Sequence, residues 1–271
     1  MDLGIKDKVA LVTAASKGLG KAVALQLSAE GAKVIICARN KEQLTRTSDE
    51  IEHKTGGVVK AIPADVTDNE QITEAINDII REFGTIDILV CNAGGPPAGM
   101  FEDFTADDYR KAIELNLMST ISLCYKVVPH MKKQQWGRII NITSVSVKQP
   151  IDNLILSNTS RTGVIGFSKS LSNQVAQYDI TVNAACPGYT RTQRVENLAK
   201  AFEKSVKGTI GEFYKKIEST IPMGRLGTPE EFANAVAFIA SERASYITGI
   251  ALQIDGGFVK ARNNLGRLMK E

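Results

Sequence analysis

The stretch that decides the fold is KVALVTAASKGLGKAVALQLSAEGAKVIICAR, residues 8–39. Its apolar runs at 9–12 and 33–38 are typical of buried strands in a parallel sheet, and residues 21–30 between them have apolar positions at helical spacing. Small residues at 13–20 form a turn before the helix, and Gly31 ends the helix. Strand, glycine-containing turn, helix and strand in this order predict a βαβ unit that binds a nucleotide.

The turn at 13–20 is the expected phosphate site of this unit. A helix N-terminus offers free N–H groups and the positive end of its dipole to a pyrophosphate, and glycine lets the backbone approach closely. Gly18 and Gly20 stand in this turn, before the helix predicted from Lys21. A turn that serves packing alone is the other interpretation of the same residues, and the flanking strands and helix favour the nucleotide site.

Strands and helices alternate about seven times along the whole chain, counting the first unit. Further strands are predicted over 58–63, 86–91, 138–143, 181–185 and 250–254, and helices over 41–53, 68–83, 105–133, 157–178 and from 228 onward. The pattern predicts an α/β fold, a Rossmann-type doubly wound parallel sheet with helices on both faces. We expect a single dinucleotide-binding domain over 1–271, with a substrate lid at 193–220 and a tail at 259–271.

Composition excludes several classes of protein. The chain has 271 residues, is 43% hydrophobic and carries a formal net charge of only +3, so charge predicts neither a nucleic-acid nor a membrane partner. It shows no apolar run of transmembrane length, and its first residues do not have the pattern of a signal peptide. The four cysteines are far apart in apolar segments, which predicts reduced thiols, a cytoplasmic location and no metal site.

Short motifs stand at the predicted carboxyl ends of the strands. Jointly and in this order they resemble those of the short-chain dehydrogenase/reductase family, in particular its 3-oxoacyl-acyl carrier protein reductase-like members, over about residues 5–258. The motifs are TAASKGLG at 13–20, Asp65-Val66, Asn92-Ala93-Gly94, Asn116, Ser144, Pro187-Gly188 and DGG at 255–257.

The resemblance implies roles for these residues. Ser144 would hydrogen-bond the substrate carbonyl, Asn116 would organise a water, and Thr192 would contact the nicotinamide amide. The turn would hold the pyrophosphate, Asp65 and Val66 the adenine, and 92–94 the ribose. Asn92 serves as scaffold as well as site in this family. The cofactor-binding residues implied are Thr13, Ser16, Lys17, Gly18, Leu19, Gly20, Arg39, Asp65, Val66, Asn92, Ala93, Gly94, Arg161, Pro187, Gly188, Thr190 and Thr192.

Residues at the end of the second strand predict NADP (NADPH) rather than NAD as the cofactor. An acidic residue there would bind the ribose 2′-hydroxyl and repel a 2′-phosphate, but position 38 is Ala. Arg39 follows it, and Lys17 lies in the phosphate turn. Two cations at this point suit a 2′-phosphate, although two solvated surface cations are the alternative interpretation.

The chain departs from the family pattern at two places. Ala14 stands where the family has glycine, and its methyl group is expected to have a modest effect on the turn. The family's catalytic tyrosine lies thirteen residues after the serine, and its lysine four residues later. Counting from Ser144 gives Ser157 and Arg161 instead, and no tyrosine lies between 126 and 177. A serine hydroxyl is a much weaker acid than a phenol, and arginine does not relay protons.

Three functional hypotheses follow from this departure. The first is an NADP-dependent oxidoreductase acting on a carbonyl or alcohol, such as a 3-oxoacyl thioester, with water or another side chain as proton donor; Tyr189 is the nearest donor, or an aromatic wall of the pocket. The second is a catalytically silent NADP-binding sensor or partner subunit. The third is a lyase or isomerase that uses Lys148 and Asp152 as acid and base.

Family relatives associate through two long helices, here 105–133 and 157–178, and through the last strand. The resemblance therefore implies a homo-oligomer, a dimer or a homotetramer, and the alternative is a monomer. The basic tail is expected either to be disordered or to dock on a neighbouring subunit through Leu265 and Leu268.

Overall fold

A parallel sheet of seven strands forms the centre of the computed structural model, which describes residues 1–206 and 208–260. The strand order is β3-β2-β1-β4-β5-β6-β7, and β1 pairs with both β2 and β4. The chain thus reverses its direction of winding between β1 and β4, which confirms the predicted doubly wound sheet. The strands are β1 Val9–Thr13, β2 Lys33–Ala38, β3 Val59–Pro63, β4 Ile88–Cys91, β5 Gly137–Ile142, β6 Ile180–Pro187 and β7 Ala251–Ile254.

Helices cover both faces of the sheet and bury two apolar layers against it. Leu27 and Phe232 pack in the layer on one face, and Ile79 and Val127 pack in the layer on the other. Strands buried on both faces explain the continuous apolar runs of the sequence. The helices are α1 Gly18–Ala29, α2 Lys41–Thr55, α3 Asn69–Phe83, α4 Ala106–Ile113, α5 Ser119–Gln134, α6 Ile155–Val175, α7 Gln193–Val206, α8 Ile210–Glu218 and α9 Pro229–Ile239.

The prediction of one long helix over 105–133 was wrong in its geometry. A π-helical turn, Glu114–Met118, separates α4 from α5. Its widened turn holds the buried Asn116, whose main-chain oxygen accepts a hydrogen bond from Thr120 Oγ1 at 2.9 Å. Ser119 Oγ donates to Leu115 O at 2.6 Å in the same way. Hydroxyl groups thus satisfy carbonyls in a part of the helix where the regular bonding is disturbed, as happens at many π turns in functional sites.

Other boundaries moved by smaller amounts, and two of these shifts matter for the site. Helix α1 begins at Gly18 rather than Lys21, so Gly18 and Gly20 belong to its first turn. Strand β6 continues through Pro187, whereas the prediction ended it at 185. The segment 193–220 contains α7 and α8, and its residue 207 lies outside the described residues. The predicted contacts of Leu265 and Leu268 also lie outside them.

The four cysteines are unpaired and buried, as predicted. Burial raises the pKa of the Cys37 thiol to about 12, so this thiol is not a nucleophile at neutral pH. Within residues 1–206 and 208–260, no helix has the length and apolarity needed to cross a membrane.

Candidate active site

A cavity of about 730 Å³ opens where the strands end, at the carboxyl edge of the sheet. Parallel strands bring residues that are distant in sequence together at this edge, which is why the predicted motifs meet there. Most of the predicted site residues line the cavity. They are Ser16, Lys17, Gly18, Leu19, Arg39, Asp65, Val66, Asn92, Ala93, Gly94, Ser144, Ser157, Arg161, Pro187, Gly188, Thr190 and Thr192.

Thr13, Gly20 and Asn116 are the predicted site residues that do not line the cavity. Thr13 is fully buried; its Oγ1 donates to Asn92 O at 2.6 Å and accepts from Asn92 N at 2.8 Å. These bonds join the ends of β1 and β4. The Thr13 side chain therefore stabilises the turn on the side away from the cavity and does not face a ligand. A threonine that closes two strand ends is not distinguishable by sequence from one that faces a phosphate.

Asn116 stabilises the residues behind the cavity wall through hydrogen bonds at both the nitrogen and the oxygen of its side-chain amide. Its Nδ2 donates to Gly94 O at 3.1 Å, and its Oδ1 accepts from Ser160 Oγ at 3.1 Å. The π-helical turn, the loop after β4 and helix α6 are therefore joined by one buried side chain. Its role in organising a water stays a prediction.

The N-terminus of α1 faces the cavity without a side-chain cap. Lys17 precedes the helix and donates rather than accepts hydrogen bonds, and the first turn carries no acidic residue. By contrast, Asn40 Oδ1 caps α2 by accepting from Gln43 N, and Asp68 caps α3 in the same manner. The first N–H groups of α1 are thus left for an anion, as expected of a phosphate site.

Ala14 adopts a backbone conformation that favours glycine. Its φ is +47°, in the left-handed region, where the Cβ atom of an L-residue is strained by roughly 1–2 kcal/mol. This left-handed φ gives a conformational reason for a glycine at this place, and this chain holds an alanine there at an energetic cost.

Replacing Ala14 by glycine is expected to raise the free energy of unfolding by about 1 kcal/mol, because the left-handed strain is relieved. Chemical denaturation of both proteins measures this difference. Gly18→Ala is the matched variant, since Gly18 has φ +61° and its added Cβ would meet only Thr192 Cγ2 at 4.0 Å. It should lose stability by a similar amount, and equal stabilities for all three proteins would contradict the account.

Ser144 is positioned by the short 3₁₀ turn that follows β5. Its Oγ accepts a hydrogen bond from Ser146 N at 3.1 Å and so caps this turn. That bond uses the acceptor side of the hydroxyl and leaves its O–H to donate into the cavity. The geometry suits polarisation of a carbonyl oxygen.

Ser157 and Arg161 lie one turn apart on α6, and both line the cavity. Arg161 Nη1 donates to Ile142 O at 3.0 Å and to Thr143 O at 3.2 Å. Ile142 is the last residue of β5, and Thr143 follows it. Burial, and secondarily the positive charge of Arg194, lower the pKa of Arg161 to about 10. The guanidinium therefore remains charged at neutral pH.

Arg39 and Asp65 mark the other end of the cavity. Arg39 Nη1 lies 3.8 Å from Asp65 Oδ2, and the arginine side chain is 79% exposed. An exposed pair at this distance contributes little and leaves the guanidinium free to turn towards a ligand. Asp65 Oδ1 also accepts from Thr67 N and Oγ1 at 3.0 and 2.8 Å, which fixes the loop after β3.

Arg194 is a cavity residue that the sequence did not reveal. It stands in the first turn of α7 and reaches the loop after β4, where it donates to Pro96 O at 2.9 Å and to Gly95 O at 3.3 Å. In the sequence, Arg194 lies in a segment with only a polar helical pattern. Its position two residues after Thr192 was the one feature that could have indicated a place at the site. Lys148 and Asp152, the acid and base of the lyase hypothesis, are exposed and do not line the cavity.

The fold and the cavity define a doubly wound α/β protein with a site at the carboxyl edge of its sheet, and comparison with known proteins gives its class. A family model described as Enoyl-(Acyl carrier protein) reductase matches residues 13–259. The 3-oxoacyl-[acyl-carrier-protein] reductase FabG of Aquifex aeolicus is 34% identical over 257 residues, which cover 95% of this chain and 99% of that protein.

Solved structures agree with this relationship. L-sorbose reductase from Gluconobacter frateurii, complexed with NADPH and L-sorbose, superposes with a TM-score of 0.92 and 31% identity, covering 96% of this chain and 100% of that one. A short-chain type dehydrogenase/reductase from Mycobacterium marinum superposes with a TM-score of 0.87 and 32% identity, covering 96% of this chain and 98% of that one. The chain belongs to the short-chain dehydrogenase/reductase family. The expectation of an oxidoreductase is confirmed at this level.

Proposed function

We propose that the protein is an NADP-dependent oxidoreductase that reduces a carbonyl, in a 3-oxoacyl thioester or a similar ketone, by hydride transfer. The observation that carries this proposal is the uncapped N-terminus of α1, which opens on the same cavity as the Ser144 hydroxyl. The N-terminus of α1 suits a pyrophosphate, and the Ser144 hydroxyl at the other end of the cavity suits a carbonyl oxygen. NADPH and a ketose in the matched L-sorbose reductase structure support both assignments.

The choice of NADP over NAD is supported by the residues around the end of β2. Ala38, Arg39 and Lys17 line this end of the cavity, so no carboxylate stands at the strand end to bind a 2′-hydroxyl. Asp65 is nearby but is already bonded to Thr67 and faces Arg39. A 2′-phosphate would replace Asp65 as the partner of Arg39 with a stronger, charge-assisted bond.

Replacing Arg39 by alanine is expected to raise the Kd for NADPH by about tenfold or more, since a charge-assisted hydrogen bond contributes about 1.5–3 kcal/mol. The Kd for NADH should change less than about twofold. Fluorescence titration of both cofactors measures the difference. Arg46→Ala is the matched control, because Arg46 is exposed and pairs with Glu42 on α2, outside the cavity. Equal losses for both cofactors would exclude a 2′-phosphate contact.

The bound cofactor would supply the hydride, and the chain's own residues would prepare the acceptor. Ser144 donates its O–H to the carbonyl oxygen and stabilises the negative charge that develops there. The fixed positive charge of Arg161 lies behind the same end of the cavity and favours the same charge. The Ser144 hydroxyl is a much weaker acid than a phenol, so it stabilises this charge and does not supply the proton.

Ser157 and Arg161 take the places of the family's tyrosine and lysine in this proposal. Their spacing from Ser144 and their common position on the cavity wall support the assignment. The proton then comes from water or from another side chain. Tyr189 lines the cavity, but burial raises the pKa of its phenol and its ring packs edge-on against Phe258 at 5.3 Å. It suits a wall of the pocket better than a donor.

A catalytically silent NADP-binding protein is the second candidate. The observation that favours it is that, among the described residues of the cavity wall, Tyr189 is the only tyrosine. Losing a general acid typically costs about 10²–10⁴ in rate. A protein with that loss retains cofactor binding and is suited to sensing the cofactor or to supporting an active relative as a partner subunit.

Consumption of NADPH with 3-oxoacyl thioesters and small ketones distinguishes the two candidates. Turnover that is lost in the Ser144→Ala variant supports the oxidoreductase. Tight binding of NADPH without turnover on any substrate supports the silent protein. Absence of binding to either dinucleotide at millimolar concentration would exclude both.

Three further features belong to the proposal. The prediction of one domain with a substrate lid at 193–220 is supported, within the described residues, by Arg194, Val195 and Leu198 of α7 on the cavity wall. A homo-oligomer, a dimer or tetramer, stays a prediction from the family resemblance. Unpaired buried cysteines support a cytoplasmic location.

A further inference from the structure

Two arginines share the substrate end of the cavity. Arg161 on α6 and Arg194 on α7 both line the cavity; Arg161 contacts the end of β5, and Arg194 contacts the loop after β4. Their hydrogen-bond partners are main-chain carbonyls: Ile142 O and Thr143 O for Arg161, and Gly95 O and Pro96 O for Arg194. Carbonyl dipoles orient a guanidinium but do not neutralise its charge.

An acidic partner for these two charges is missing from the described part of the chain. Neither arginine forms an ion pair with a carboxylate of residues 1–206 or 208–260. Asp65 is the one acidic residue among those that line the cavity, and it follows β3. Four strand spacings separate β3 from β5, roughly 19 Å, so Asp65 does not balance the far end.

The two charges also act on each other. Burial and then the charge of Arg194 lower the pKa of Arg161 to about 10, and burial lowers the pKa of Arg194 as well. Both remain protonated at neutral pH. Arg161 is buried, whereas Arg194 lies at the exposed mouth of the cavity. A buried positive charge with a second one beside it is costly unless a ligand of opposite charge binds there.

The guanidinium of Arg194 occupies a defined position because residue 95 is a glycine. Its guanidinium packs on Gly95 so closely that a Cβ atom at residue 95 would lie 2.8 Å from Arg194 Cζ. Glycine at this point therefore makes room for the cation above the cavity. Arg191, three residues earlier, shows the contrast: it lies 3.4 Å from the carboxylate of Glu218 and does not line the cavity.

We propose that the carbonyl substrate carries a carboxylate, which Arg194 binds with support from the charge of Arg161. This inference rests on the proposed function and narrows it from ketones in general to oxo acids. The ketone oxygen would accept from Ser144, and the carboxylate would accept from the guanidinium of Arg194. Apolar side chains complete this wall and suit a short hydrocarbon part: Ile151, Leu154, Val195 and Leu198.

Kinetics with 3-oxobutanoate and its methyl ester test the inference, because the ester keeps the ketone and replaces the negative charge by a small neutral methyl ester. In the Arg194→Gln variant, kcat/KM for the acid is expected to fall by about 10–100-fold, mainly through KM, and kcat/KM for the ester by less than about threefold. Gly95→Ala keeps the charge but displaces the guanidinium, so it should show the same selective loss. Arg191→Gln is the matched control and should change neither substrate.

Calorimetric titration with malonate gives a readout that does not need turnover. Malonate should bind the wild-type protein and bind Arg194→Gln at least tenfold more weakly, and its dimethyl ester should bind neither. If neither oxo compound is reduced but this pattern holds, the proposed reductase fails and the anion site stands. Equal affinity of both proteins for malonate would overturn the inference. So would an equal loss of NADPH affinity in Arg194→Gln, since Arg194 would then serve the cofactor's pyrophosphate.

Discussion

Replacing Ser157 by tyrosine and Arg161 by lysine together is expected to raise kcat by about 10²–10⁴-fold, the usual contribution of a general acid. The two residues are one turn apart on α6 and both face the cavity, so the larger ring enters the cavity rather than the packed core. A neighbouring ammonium lowers the pKa of a phenol and makes it a better donor to the developing alkoxide. Steady-state NADPH consumption on one ketone measures the gain.

The matched control is Ser157→Phe with Arg161→Lys, which has the same ring without the hydroxyl group. It should show no gain, and addition of Ser144→Ala to the tyrosine variant should remove the gain, because the carbonyl then loses its second donor. A gain of less than threefold in the tyrosine variant would mean that protons reach the substrate by another route. The assignment of Ser157 and Arg161 to the catalytic places would then be withdrawn.

Replacing Gly20 by alanine is expected to damage both stability and cofactor binding. The added Cβ would lie 2.6 Å from Ala14 O, 2.8 Å from Asn92 Nδ2 and 3.0 Å from Ala15 Cα. Two of these three are backbone atoms of the phosphate turn, so the turn itself must move. Overpacking of this kind costs about 1–3 kcal/mol of unfolding free energy. The Kd for NADPH should rise by more than about tenfold, as measured by fluorescence titration.

Gly166→Ala provides the control for the alanine substitution. Gly166 is exposed on α6, and a Cβ atom there would meet nothing within 4 Å. Alanine should stabilise this helix by up to about 1 kcal/mol through its higher helix propensity and leave cofactor affinity unchanged. If Gly20→Ala behaved like Gly166→Ala, the close approach of α1 to the turn would have no functional role.

Sequence and structure agree best where the information is local. The apolar runs at 9–12 and 33–38, the glycine-containing turn between them and the N-cap Asp68 each form through neighbours a few residues away. Because parallel strands end at one edge, correct strand order along the chain also predicted which polar residues would meet. Ser144, Ser157 and Arg161 reached the cavity for this reason.

The residues that the sequence misplaced depend on contacts between distant segments. Thr13 is turned away from the cavity because Asn92, 79 residues later, takes its hydroxyl. Asn116 interrupts a helix with a π turn because Gly94 and Ser160 both bind its amide. Neither effect leaves a periodic signal in the sequence, since each depends on a single buried hydrogen-bond network.

The sequence by itself determined the order of strands and helices, the glycine-containing turn before α1 and the presence of Ser157 and Arg161 one turn apart on one helix. The tertiary structure alone decided the charge at the substrate end, because Arg194 reaches Pro96 across 98 residues of chain. Local propensities are set by neighbouring residues, but the balance of charge in a cavity is set by whichever side chains the packing of the whole fold brings to its wall.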